Sequence, residues 1–428
     1  MLTERSKELV KGDAPLYLFG AVFALLTIII SGFSDYRLWA TVAIWVYGIG
    51  FIFAVGLTFL RNRSLRFHLR VALAIFIFIG ALIVPLTTEV VHRAHGTSQS
   101  YVQPEVWVVE NAGKRVINGK SPYVSPPRKN GQSLLSTPAP LPVYSYFDYL
   151  PLMSIFGTLR STDEPKALTD ARIPFSIVGI GAIVLSLFLL RKNKEACLKV
   201  GIVTAVLPTA ALPLVTGGDD LPVIGIMLLA ATLMMRKKPV LGAVALGLAC
   251  GLKFTAWPLA AMLILVAKRK DGRSYKMPTL VVFLGVLFSS LVPAILDNPF
   301  GFITDAIRFP LGLAGTKSPA QSPMPGHLLI DTFPNWHFEI ILGLIALSLL
   351  LAVLWIKFFP IVSIERALLG SGVLMLIATV LAPSTRVGYI VYPVECFAWA
   401  WLVWKSDPDN FSSIDKLHVD EEFLLTKT

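Results

Sequence analysis

Apolar residues run along most of this chain in blocks of roughly 15–22, each closed by a short polar break. Blocks of that length with few charges predict membrane-crossing helices. They are expected at about 15–32, 38–59, 69–87, 172–190, 198–215, 220–235, 239–252, 255–267, 277–296, 337–356, 366–382 and 388–404, or about twelve spans. The short alternating strands of a membrane barrel are absent from the pattern. The fold class predicted is an all-α polytopic membrane protein, with residues 1–404 as a single transmembrane domain and 405–428 as a polar cytoplasmic tail.

Two long segments interrupt the pattern, roughly 88–171 and 297–336. Within the first, VWVVENAGKRVING has apolar residues at 106, 109, 112 and 116, close to helical spacing. It predicts a short amphipathic helix lying at the membrane surface. SPYVSPP then breaks it.

Charge sets the orientation. Lys and Arg crowd alternate breaks: residues 5–11, 61–70, 191–199, 236–238 and 268–276. The opposite breaks hold little more than Arg37, Lys253 and Arg386. Basic short loops stay in the cytoplasm, so both termini are expected there and both long segments outside, on the periplasmic or extracellular side.

Composition agrees. The 428 residues are 55% hydrophobic and 15% charged, with a formal net charge of +11 and mean hydropathy of +0.68. A soluble domain carries about 25% charged residues. The basic excess is explained by the loops, and no basic groove interleaved with aromatics points to nucleic acid. Cys197, Cys250 and Cys396 lie in or beside apolar blocks, with neither metal-site nor disulfide spacing. The polar N-terminus lacks a small-residue cleavage site, so the first block reads as a retained helix.

The candidate chemistry falls on the outer side. Glu105 and Glu110 sit in the predicted loop helix. Asp219 and Asp220 lie in the short turn VTGGDDLPV, Lys253 in GLKFTAWP, His327 in SPAQSPMPGHLL and Arg386 in APSTRVGYIVYP. Each has a bland alternative. Asp is a favoured helix cap, a lone His often serves packing, and an Arg at a helix end snorkels. Ionisable groups gathered on one face of a membrane protein nevertheless tend to mark a site. Carboxylates can act as general base, and cations can stabilise a departing phosphate. That combination, with no metal motif and no cofactor implied, suits glycosyl transfer from a lipid-phosphate sugar at the bilayer surface.

Three stretches carry a resemblance: EVWVVENAGKRVINGKSPY with YFDYLPLMSIFG, then TGGDDLPVIGIMLLAATLMMRKKPVLGAVALGLACGLKFTAWPL, then STRVGYIVYPVECFAW. In their order they resemble the polyprenyl-phosphate-dependent glycosyltransferases of the GT-C fold, most of all glycosyltransferase family 87, a mannosyltransferase-like group. The resemblance implies a metal-independent, inverting transfer, often of mannose, onto a lipid-linked or glycan acceptor for the cell envelope. It puts the catalytic acid at Glu105, 14 residues before Gly119, where the family has Asp; Glu110 is the second choice. Asp219 and Asp220 would orient hydroxyls, Lys253 and Arg386 would hold the donor phosphate, and His327 would assist there or bind the acceptor. Tyr123, Tyr149, Trp107 and Tyr389 offer faces for sugar or prenyl packing. The two spans before residue 68 look like an addition to the family plan. A polyprenyl-lipid flippase and a non-catalytic assembly partner are the competing readings; a flippase would need charges along a path through the bilayer, where Glu395 is the main one in the pattern.

Overall fold

The computed structural model describes residues 12–96, 100–124, 146–161, 167–268, 271–316, 318 and 320–406. Among these the chain is helical, with only two isolated bridges, Lys268 to Ser274 and Gln321 to Thr385. The basic N-terminal residues to 11 and the tail beyond 406 lie outside the described residues.

The helices are α1 (Ala14–Ile30), α2 (Ser34–Leu57), α3 (Arg63–His95), α4 (Pro104–Ile117), α5 (Arg172–Leu189), α6 (Lys194–Val206), α7 (Pro208–Thr216), α8 (Asp220–Met235), α9 (Pro239–Leu252), α10 (Phe254–Leu265), α11 (Lys276–Asp297), α12 (Pro299–Phe302), α13 (Pro325–Thr332), α14 (Pro334–Phe358), α15 (Ile364–Leu381) and α16 (Val387–Trp404). Every predicted apolar block falls on these helices, the block 198–215 being divided between α6 and α7. Seven, namely α2, α3, α5, α11, α14, α15 and α16, are long and apolar enough to cross a membrane. An eighth crossing follows if α6 and α7, bent by 42° at Leu207, are one broken span. The remaining four, α1, α8, α9 and α10, are shorter apolar helices, so the expected count of about twelve is not carried through. The reason is length: a helix rises 1.5 Å per residue, and about 20 residues are needed for a ~30 Å hydrocarbon core.

The segments alternate between two poles. At one, Arg70 pairs with Asp13 at 2.7 Å and Glu195 at 2.8 Å, and Arg236 donates to the carbonyl of Leu189. At the other, Gln103 N–H donates to Thr216 O at 3.0 Å, Leu150 N–H to Leu252 O at 3.2 Å and Thr385 N–H to Ala320 O at 2.9 Å. The basic breaks at 61–70, 191–199 and 236–238 lie at the first pole, the described parts of the long segments at the second.

Small residues let helices cross closely. A Cβ at Gly225 would meet Gly179 O at 2.5 Å, where α8 crosses α5. The outward faces stay apolar: α14 leaves Phe338, Leu342, Leu349, Leu350 and Val353 more than half exposed, as suits lipid.

In the first long segment the helix forms as the spacing predicts, and the protein covers much of it. Val106 to Glu110, Ala112 and Gly113 are all buried. The helix packs backbone to backbone on the 3-10 turn Pro151–Ser161, where a Cβ on Gly157 would stand 2.0 Å from Val109 O.

Candidate active site

Four chain segments meet at the second pole. The turn between α7 and α8 comes first. Gly218 adopts φ +82°, which favours glycine, and both Gly217 and Gly218 donate to Pro213 O. A Cβ on Gly217 would strike Gln103 Oε1 at 2.5 Å, so the turn abuts the entry to α4. Gln103 also donates to the Tyr36 hydroxyl at 2.6 Å. Asp219 and Asp220 follow. Neither caps α8: no side-chain cap bond forms there. Both turn instead to Lys253.

Lys253 occupies the break between α9 and α10, in extended backbone. Its Nζ lies 2.5 Å from both Asp219 Oδ2 and Asp220 Oδ1, and 5.2 Å from the centre of the Tyr149 ring. The Tyr392 hydroxyl donates to Asp220 Oδ1 at 2.5 Å. Burial works against the ammonium, but Asp219 and Asp220 outweigh it and hold its pKa well above the usual lysine range. Burial pushes Asp219 up to about 6, against the pull of Lys253.

Glu105 stands in the first turn of α4, where the helix dipole favours a carboxylate. Its Oε1 pairs with Arg386 Nη1. Its Oε2 is buried and has no hydrogen-bond partner among the described residues. Arg386 is extended, just after α15, and the second long segment fixes it there. Ser322 N–H donates to Thr385 O at 2.9 Å, and Val387 N–H to Ser322 Oγ at 3.0 Å.

Asp148 was not singled out by the sequence. It lies half-buried in YFDYLP, within electrostatic range of Glu105, Lys253 and Arg386. Burial first, then Glu105, push its carboxyl up to about 7. Its segment is pinned on both sides. Asp305 Oδ2 accepts from Val124 N–H at 2.9 Å and Phe147 N–H at 3.4 Å, and Tyr123 donates to Tyr149 O at 3.1 Å. The one signal for Asp148 in the sequence was an acid set among aromatics beside a proline.

The structure thus brings together Glu105, Asp219, Asp220, Lys253 and Arg386, with Tyr389 in electrostatic range of Lys253, Arg386 and Asp148. Three expected residues lie apart. Tyr123 is fully buried behind Tyr149 as support. His327 bonds Pro383 O at 3.0 Å through Nδ1, steadying the strand of chain that bears Arg386. Glu110 faces a different cluster. It pairs with Arg93 through both oxygens at 2.8 Å and accepts from Ala171 N–H at 3.2 Å. Arg93 also holds Asp170 at 2.7 Å; Arg172 binds Asp170 and Glu89, and its Nη1 donates to Tyr101 O and Val215 O. Burial opposes ionisation of Asp170, but Arg172 and Arg93 hold it well below the usual carboxylate range. Among the described residues no three His, Cys, Asp or Glu side chains group as a metal site.

The model of glycosyltransferase family 87 matches residues 150–385, more than half of the chain. The chain belongs to glycosyltransferase family 87. It is accordingly a membrane glycosyltransferase, with a sugar donor and an acceptor. The family 87 match takes in Asp219, Asp220, Lys253 and His327; Glu105 and Asp148 precede it, and Arg386 directly follows it. No curated protein and no solved structure matches the chain significantly.

Proposed function

We propose that this family 87 chain transfers a sugar, mannose in the first instance, from a polyprenyl-phosphate donor to a lipid-linked or glycan acceptor of the cell envelope. The observation that carries the reading is Glu105. One carboxylate oxygen is tied to Arg386, which orients the group, and the other is buried and unpartnered in a cluster that holds two cations. In the proposed step, Glu105 Oε2 takes the proton of the acceptor hydroxyl as its oxygen attacks the sugar C1. The C1–O bond to phosphate breaks, and its electron pair leaves with the phosphate. Lys253 and Arg386 stabilise that charge, a role that needs no metal ion. A single displacement inverts the anomeric centre. Asp219 and Asp220 hold Lys253 and remain available to sugar hydroxyls.

The arrangement of the poles supports an outward-facing site within a GT-C-like plan. The basic breaks at 61–70, 191–199 and 236–238 lie at the opposite end, and such loops stay in the cytoplasm. On that reading both termini are cytoplasmic. The lipid tail of the donor would lie in the bilayer beside the helices.

The test is transfer of radiolabelled mannose from polyprenyl-phosphate mannose to envelope lipid acceptors in membranes bearing wild-type protein or Glu105→Gln. The expected result is transfer by wild type and a loss of about 10²–10⁴-fold in the variant at equal protein level. Equal transfer by both removes Glu105 as base. No transfer by wild type removes the donor assignment.

A further inference from the structure

Charge is out of balance in the site. Four carboxylates, Glu105, Asp148, Asp219 and Asp220, surround two cations, Lys253 and Arg386. Asp219 and Asp220 share Lys253, and Glu105 takes Arg386. Its chain neighbours fix Asp148 beside these groups, with the centre of the Tyr149 ring 5.2 Å from Lys253 Nζ and Phe147 N–H bound to Asp305 Oδ2, yet among the described residues Asp148 forms no ion pair of its own. A phosphodiester donor brings one more negative charge into this space. The groups that face Asp148 are Glu105 from α4, Lys253 from the break between α9 and α10, Arg386 and Tyr389 from the approach to α16, Asp305 from the turn after α12, and the adjoining Tyr149. Two of these groups are cationic, and both are already engaged by other carboxylates.

We propose that Asp148 is a substrate-contacting residue of this site: it carries a proton while the anionic donor is bound and donates a hydrogen bond to a phosphate or sugar oxygen of that donor. The proposal rests on the phosphate-donor reading above. A neutral carboxyl removes the repulsion that a fifth negative charge would meet, and it supplies a donor where a carboxylate could only accept. The upward shift of the Asp148 carboxyl to about 7 places the change within the physiological range. The proton comes from solvent on binding and returns on release, so no bond in the sugar is involved.

The experiment uses detergent-solubilised full-length protein and farnesyl methyl phosphate, a diester whose single charge is constant across the range. Binding by wild type is expected to weaken about tenfold between about pH 6 and pH 8, the limit set by one linked proton with a free-state pKa near 7. Asp148→Asn, neutral and still a donor, is expected to bind with little pH dependence, near the wild-type affinity at low pH. Calorimetry of wild type in two buffers of different ionisation enthalpy, at about pH 7.5, should read an uptake of up to about three-quarters of a proton per lipid. A pH dependence that persists in Asp148→Asn, or an uptake of zero protons, overturns the proposal. If wild type binds the diester at neither pH, the phosphate-donor reading fails and this inference fails with it. Should Asp148→Asn not fold, the calorimetry on wild type decides alone.

Discussion

Two ion clusters share one helix and differ in their balance of acids and cations. Around Glu110, each acid meets guanidinium groups: Arg93 with Glu110 and Asp170, Arg172 with Asp170 and Glu89. Around Glu105, four carboxylates compete for two cations and a buried oxygen is left open. The two glutamates are five residues apart, which at 100° per residue turns them about 140° from one another. The cluster around Glu110, in which Glu89 Oε1 is also buried without a hydrogen-bond partner among the described residues, ties α3, the loop at Tyr101, α5 and the turn at Val215 into one frame. The cluster around Glu105 is the one with more acids than cations. Buried charge holds the loops at one cluster and, on the proposed mechanism, acts at the other.

The sharpest break of that comparison is to neutralise each glutamate in turn. Glu110→Gln should cost about 3–5 kcal/mol of stability, since it strips a buried guanidinium of its bidentate partner. Thermal unfolding of purified protein reads this, while activity per folded molecule stays near wild type. Glu105→Gln should do the reverse, keeping the melting temperature and losing transfer. If both variants lose stability alike, the two clusters are one structural unit.

Lys253→Met comes next. It leaves Asp219 and Asp220 facing each other and removes a proposed phosphate contact, so kcat/KM should fall by about 10²–10³-fold, or about 2.7–4 kcal/mol. A variant with unchanged kcat/KM would make Lys253 a mere counter-ion for the acids. Gly157→Ala tests the frame instead: its Cβ would stand 2.0 Å from Val109 O and push α4 aside. A loss of about 1–3 kcal/mol is expected, with transfer falling alongside. Preserved transfer would show that Glu105 tolerates the shift.

The smallest effect concerns Asp305, which joins the two long segments through Val124 and Phe147. Burial raises its carboxyl from the ordinary range to about 8. The folded state therefore binds more protons than the unfolded state between about pH 4 and pH 8, and stability contributed by this group falls as pH rises through that window. Asp305→Asn should flatten the fall, seen as a melting temperature less sensitive to pH. An equally steep profile in the variant would assign the dependence to other acids.

Much of the scaffold was legible because its cause is local. The apolar blocks gave every helix of the membrane region, α5 to within a residue, since length and hydropathy act over a single segment. The spacing of Val106, Val109, Ala112 and Val116 gave α4. Burial of α4 was not legible, because the covering turn at Gly157 lies far along the chain. The same limit applies to the site. Glu105, Asp219, Asp220, Lys253 and Arg386 could be listed, but their pairing depends on which loops meet. His327 and Tyr123 were chosen by residue type, and packing gave both to the backbone of neighbouring segments. Asp148 had no periodic pattern around it and emerged only from its neighbours in space.

The pairing of Glu105 with Arg386 joins residues 281 positions apart in the chain. During synthesis the glutamate is made early and waits for its partner, which emerges just ahead of α16. Until then Glu105 lacks this ion pair, and Asp220 lacks the Tyr392 hydroxyl as well. On the proposed mechanism, chains cut short before Arg386 would be inactive however well their earlier helices insert.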